Sequence, residues 1–204
     1  MTFKGTRRVL LALMMGMAVP VGAVAPRPKA GLPQVAIQTT EGTIVVALEP
    51  KRAPITTANF LRYVDAHRFD GTFFYRAARA RNDPTRGLVQ GGIDHDLPKS
   101  FLPIKHEPTS KTGLRHVDGT LSMARNEPGS AMGDFFITAG PAPGLDAAPD
   151  YPGYAAFGHV VKGMDVVHRI LVKPTWPGGL SIEMMGQTLR QPVRIISARR
   201  VPGS

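Results

Sequence analysis

The 204 residues contain no cysteine. That excludes disulfides, thiol nucleophiles, cysteine-ligated zinc, iron–sulfur clusters and a lipid-modified N-terminal cysteine. There is no G-x-S-x-G, P-loop or G-x-G-x-x-G, and the one serine in a glycine-rich stretch, Gly129-Ser130-Ala131-Met132-Gly133, stands at the wrong place for a nucleophile elbow. Acids are scarce: 15 Asp and Glu against 25 Lys and Arg give a formal charge of +10, a balance that favours acidic partners. No aromatic residues interleave with the basic clusters at 79–86 and at Arg194, Arg199 and Arg200, so the charge does not read as a nucleic-acid surface. Internal repeats and low-complexity tracts are also missing. What remains, 43% apolar residues with 22 Gly and 19 Pro, is the composition of one globular domain. At this length folding removes roughly 70% of the unfolded surface from water, so one core can hold the fold without metals or disulfides.

The first 25 residues read as an export leader. A cationic start ending in Arg7-Arg8 runs into the uncharged stretch 9–19, and Ala23-Val24-Ala25 offers a small-x-small cleavage site. Pro26 just after that cut disfavours it, and Val21-Gly22-Ala23 is the alternative. Thr6-Arg7-Arg8-Val9-Leu10-Leu11 also resembles a twin-arginine signal. An uncleaved anchor is the competing reading, although Gly16, Pro20 and Gly22 dilute the span. The organisation expected is a leader over 1–25, a proline-rich joint over 26–33 and one domain over 34–201.

From Val35 the hydrophobic period is two: Val35, Ile37 and Thr39, a Glu41-Gly42 turn, then Ile44, Val46 and Leu48, which predicts a hairpin. Residues 53–67 change to helical spacing behind Pro54, a residue suited to a first turn. Short strands are predicted at 72–76, 88–90, 120–123, 135–138, 155–161 and 193–201, with a second helix over 164–172 and a loop over 77–87. Many short strands with two helices and turn-rich links point to an antiparallel barrel rather than to a βαβ repeat.

Phe69-Asp70-Gly71-Thr72-Phe73-Phe74-Tyr75-Arg76, followed by Val89-Gln90-Gly91-Gly92, resembles the cyclophilin family of peptidyl-prolyl cis/trans isomerases. Ala53-Pro54-Ile55-Thr56-Thr57-Ala58-Asn59-Phe60 upstream is similar to that family's A-P-x-T-x-x-N-F helix start. Downstream, Gly119-Thr120-Leu121-Ser122-Met123-Ala124, Asp134-Phe135-Phe136-Ile137 and Ala156-Phe157-Gly158-His159-Val160 with Gly163-Met164-Asp165-Val166-Val167 are similar to three further blocks, all in family order. The resemblance implies an all-β fold with minor α, an eight-stranded antiparallel barrel capped by two helices. It also implies isomerisation of X-Pro amides, without cofactor or covalent intermediate.

By the same resemblance Arg76 corresponds to the catalytic arginine, Gln90 to the glutamine beside it, and Phe136 to the floor of the proline pocket. Leu88 and Ala124 line that surface, with Tyr75, Asp134 and Tyr154 at its edges. Three departures stand out: Tyr75 replaces a histidine, Asp134 a glutamine, and Gly87-Leu88 a Phe-Met segment, which puts the pocket's apolar wall in question. The tryptophan of cyclosporin-sensitive members is missing from 145–154; the single tryptophan here is Trp176. Asp94-His95-Asp96 could ligate a metal, but three consecutive residues point in different directions, and a solvated loop is the plainer reading.

The expected protein is a periplasmic monomer acting on proline-containing polypeptides, binding no nucleic acid and not inserted in the membrane once its leader is cut. The competing readings are a non-catalytic proline-segment chaperone or scaffold, and a basic protein bound at a membrane surface. The arginines of the 77–87 loop are expected to steer acidic clients or else merely to aid solubility.

Overall fold

A computed structural model describes residues 31–94, 96–179 and 182–204. The leader, its cleavage sites and most of the proline-rich joint lie outside those residues, as does His95. In chain order the elements are β1 (Gln34–Thr39), β2 (Gly42–Leu48), α1 (Pro54–Asp65), β3 (Phe73–Ala80), β4 (Asp83–Gly92), α2 (Thr109–Thr112), β5 (Thr120–Met123), β6 (Phe135–Ala139), β7 (Ala155–Lys162), α3 (Met164–Leu171) and β8 (Thr188–Arg200). The strands close into a barrel in the order β1-β2-β7-β5-β6-β4-β3-β8, every neighbouring pair antiparallel. The eight-stranded barrel is therefore as expected. Its two longer helices, α1 and α3, are the amphipathic segments read from the sequence, and α2 is a single additional turn.

Alternation decides which side chains fill the interior. Val35 and Ile37 on β1, and Ile44, Val46 and Leu48 on β2, are all buried, the period-two residues of the first hairpin. On α1, Phe60, Tyr63 and Val64 share the buried face. The Phe60 ring meets those of Phe69, Phe135 and Phe157 at centroid distances of 5.2, 5.4 and 5.2 Å. Such edge and tilted contacts add to area burial, and they gather Phe60, Phe69, Phe135 and Phe157 into one core cluster.

The predicted loop over 77–87 is instead the outer end of a hairpin, since β3 runs to Ala80 and β4 begins at Asp83. Two of its three arginines, Arg79 and Arg86, are anchored. Arg79 Nη1 donates to the carbonyls of Leu171 and Lys173 at 3.3 and 3.1 Å, and Nη2 to Thr175 Oγ1 at 2.9 Å, so a cation sits on the carbonyl end of α3, where the helix dipole favours it. Arg86 Nη2 donates to Pro141 O at 2.6 Å.

β8 closes the barrel by pairing with both β1 and β3. It starts at Thr188, five residues before the expected 193, because Arg190, Gln191 and Pro192 interrupt the alternation while still lying in the strand. Two of the basic residues read as a cationic tail are ion-paired: Arg199 Nη2 with Asp70 Oδ2 at 2.6 Å, and Arg200 with both oxygens of Asp65 at 2.7 Å.

Candidate active site

A break in strand regularity brings the first two residues of the site together. Phe74 pairs with Gly91 and Arg76 with Gln90, leaving Tyr75 as an extra residue on β3. In a regular strand, neighbours point to opposite faces, whereas a bulge re-aims them. Phe74 is fully buried in the barrel, and both Tyr75 and Arg76 reach Gln90. The glycines after Gln90 permit the close packing there. Gly92 has φ of +132°, and a Cβ on it would lie 2.4 Å from the Gly133 carbonyl oxygen.

The polar side chains form a directed chain. Arg76 Nη1 donates to Gln90 Oε1 at 2.7 Å, and Arg76 Nε to Gln187 Oε1 at 2.8 Å. Gln90 turns its Nε2 the other way, donating to the Tyr75 hydroxyl at 2.8 Å. That hydroxyl donates to Asp134 Oδ1 at 3.2 Å, which also accepts the Asp94 backbone N–H at 2.8 Å. Each amide atom of Gln90 thus has a fixed direction. Burial, followed by the negative charge of Asp134, pushes the Tyr75 phenol well above its ordinary pKa, so the hydroxyl keeps its proton and remains a donor. Burial lowers the Arg76 guanidinium, opposed by Tyr154 and Tyr75. An arginine starts so high that it stays cationic regardless.

Across from Arg76 lies an apolar floor. Phe135 and Phe136 alternate on β6: Phe135 enters the core, its ring 5.7 Å from that of Phe74, and Phe136 lines a cleft of about 200 Å³ with Arg76, Leu88, Gln90, Ala124, Asp134 and Tyr154. Leu88 therefore supplies the apolar wall that its departure from the family pattern had put in question. The Tyr154 ring stands edge-on to Phe136 at 5.4 Å, and Arg125 lies 4.8 Å over Tyr154. On its other side Phe136 stacks on His116 at 5.9 Å. That histidine is buried, with Nδ1 2.7 Å from Asp146 Oδ1 and Nε2 2.9 Å from Ser122 Oγ. Burial lowers its pKa, and the Asp146 carboxylate opposes the shift.

All eight residues singled out in the sequence gather here, but not in one capacity. Arg76, Gln90, Leu88, Ala124, Phe136 and Tyr154 face the cleft, while Tyr75 and Asp134 chiefly hold other side chains in place. Sequence reasoning missed Gln187, Met184 and Leu145, which also border the site. Gln187 lies 111 residues beyond the arginine it holds, and no local motif signals such a pairing. A second cleft of about 370 Å³ adjoins the first across Arg76 and is bordered by Tyr75, Gln90 and Trp176. The arrangement as a whole presents a part-buried cation opposite an aromatic floor, with no nucleophile among the described residues lining the cleft.

Residues 34–200 match the family described as "Cyclophilin type peptidyl-prolyl cis-trans isomerase/CLD". A peptidyl-prolyl cis-trans isomerase of Acinetobacter baylyi is 37% identical over 168 residues, 81% of this chain and 84% of that protein. Peptidyl-prolyl cis-trans isomerase B of Escherichia coli is 33% identical over 153 residues, 72% of this chain and 88% of its own length. Among solved structures, a Cryptosporidium parvum cyclophilin type peptidyl-prolyl cis-trans isomerase superposes with a TM-score of 0.65 at 18% identity, covering 84% of this chain and 99% of that one.

Proposed function

The chain belongs to the cyclophilin-type peptidyl-prolyl cis-trans isomerase family and is itself a prolyl isomerase, and from that premise we propose that Arg76 is its catalytic cation, acting on proline-containing chains outside the cytoplasm. An X-Pro amide has partial double-bond character, and its rotation crosses a barrier of about 18–20 kcal/mol. Twisting the bond breaks the resonance and leaves a lone pair on the prolyl nitrogen. A cationic N–H donor beside that nitrogen therefore stabilises the twisted state more than either planar one, which is the condition for catalysis.

The observation that carries the proposal is the position of Arg76, opposite Phe136 in one cleft. The ring of a bound proline packs on Phe136 and is recognised by shape, since a prolyl ring offers no donor. Gln187 accepts from Nε and Gln90 from Nη1, and among the described residues the Nη2 hydrogens are left for substrate. The Tyr75–Asp134 pair fixes Gln90, and through it the plane of the guanidinium. Preorganised in this way, the donor needs no reorganisation when the amide twists. Exchange NMR on an Ala-Pro peptide, comparing wild type with Arg76→Ala and Arg76→Lys, tests the role: equal rates in all three would remove Arg76 from the chemistry.

Action outside the cytoplasm is supported by the cationic start, uncharged stretch and small-x-small sites of residues 1–25, and by a cysteine-free sequence that needs no redox partner. Cell fractionation with mass measurement of the mature chain tests it. A cytoplasmic protein of full mass would overturn this part alone.

A further inference from the structure

Beyond Arg76 from Phe136, the second cleft takes one wall from Trp176, Gly178, Gly179, Met184 and Thr188, residues outside the blocks of the family resemblance. Trp176, Gly178, Gly179 and Met184 supply its apolar side, and Tyr75, Asp94 and Thr188 its polar edge. The wall is built rather than loosely draped. Trp176 N–H donates to Thr188 O at 2.8 Å, and Gly186 N–H to Gly178 O at 3.1 Å. A Cβ at Gly179 would lie 2.5 Å from the backbone of Met184, so Gly178 and Gly179 pack closely against Met184 and Gly186. Arg190 stacks 5.1 Å over the Trp176 ring and donates from Nε to Thr175 O at 3.1 Å, which fixes the plane of the indole. Even so, Trp176 remains 54% exposed, a large aromatic surface left toward solvent beside the catalytic cation.

The two clefts share Arg76, Gln90 and Met184. An extended peptide with its proline on Phe136 and its amide at Arg76 meets, past this cation, the volume bordered by Trp176. We propose that this second cleft is a specificity subsite for a bulky apolar side chain, aromatic or branched aliphatic, flanking the proline of the substrate, with Trp176 as its main contact. The inference rests on the isomerase reading and adds its substrate class: proline next to large apolar residues, the composition of segments that are exposed before folding and buried after it. Burying such a side chain against the indole and Met184 removes apolar area from water, and the glycines let the peptide approach closely.

The single tryptophan of the sequence provides a probe of occupancy that does not depend on turnover. The full chain is titrated with proline peptides carrying Ala, Leu or Phe before or after the proline, while tryptophan emission is followed and isomerisation is measured on the same peptides by exchange NMR. Leu and Phe peptides are expected to shift the emission to the blue saturably and to exceed the Ala peptides in kcat/KM by about tenfold at one of the two flanking positions, about 1.4 kcal/mol. Trp176→Ala is expected to erase most of that ratio. Trp176→Phe, which keeps an apolar ring, is expected to retain it, whereas a merely structural tryptophan would leave the ratio unmoved in both variants. Isomerisation with no emission change and a flat ratio would overturn the subsite and leave the isomerase reading intact. A blue shift on anionic phosphatidylglycerol vesicles with none on any peptide would overturn it in favour of a membrane contact. Failure to bind or turn over any peptide would overturn both readings.

Discussion

Arg76 is tied to two glutamine oxygens but borders open clefts, so its removal should affect rate far more than stability. Arg76→Ala is expected to lower kcat/KM at least about tenfold, roughly 1.4 kcal/mol of transition-state stabilisation, with a calorimetric midpoint within a few degrees of wild type. Phe136 differs, because its ring packs on His116 and Tyr154 while flooring the cleft. Phe136→Ala should raise KM and also lower the midpoint; a lost midpoint with full affinity retained would return the residue to the core. Beneath it, His116 has a pKa lowered by burial. A group with a depressed folded pKa contributes stability that is complete above its unfolded value, about 6.5, and is lost as pH falls toward its folded value. The unfolding midpoint should therefore fall as the solution is acidified below about 6.5, and fall less steeply in His116→Gln; parallel profiles for the two proteins would show that other groups dominate the acid limb.

At the scale of elements, period-two and helical spacing located both helices and the strands of the barrel, because each buries one face and its alternation is written in neighbouring residues. Besides the turn α2 and the early start of β8, two features escaped that reading. The β3–β4 hairpin continues past Ala77 because Arg79 and Arg86 are held by carbonyls at 171, 173 and 141, partners too distant in sequence for any local pattern to show. The bulge at Tyr75 follows from a pairing register and not from residue type. The site was legible where the family blocks carried it, at Arg76, Gln90 and Phe136, and illegible at Gln187 and Trp176, which arrive from a stretch outside those blocks. Anchored arginines also alter the expected role of the hairpin. Arg79→Ser should lower the unfolding midpoint by several degrees, since hydrogen bonds to a charged group contribute about 1.5–3 kcal/mol and each kcal/mol moves a domain of this size by about 2–4 °C. The ratio of kcat/KM for acidic and neutral peptides should stay fixed in the same variant at low and at high salt. A salt-dependent change in that ratio would restore the steering role.

For the whole molecule, the barrel is a single closed ring, and the strand that closes it, β8, follows every other strand in the chain while the residue just before it, Gln187, holds Arg76. The ion pairs of Arg199 and Arg200 with Asp70 and Asp65 reach across 129 and 135 residues to fasten that closing strand beside α1. Cutting the chain before Gln187 should therefore abolish isomerisation, and a separate peptide spanning 187–204 should restore it in proportion to its occupancy; activity in the truncated chain alone would show that the guanidinium needs only Gln90. The same dependence sets a time order during synthesis. A ribosome that has delivered Phe73 through Tyr154 has released Arg76, Gln90 and the aromatic floor of the cleft but no working enzyme, because the closing strand and the arginine brace appear together only when Gln187 and β8 follow. Competence is then all or nothing for each copy: one interrupted before Gln187 carries Arg76 and Phe136 but neither the brace on the guanidinium nor the strand that closes the barrel.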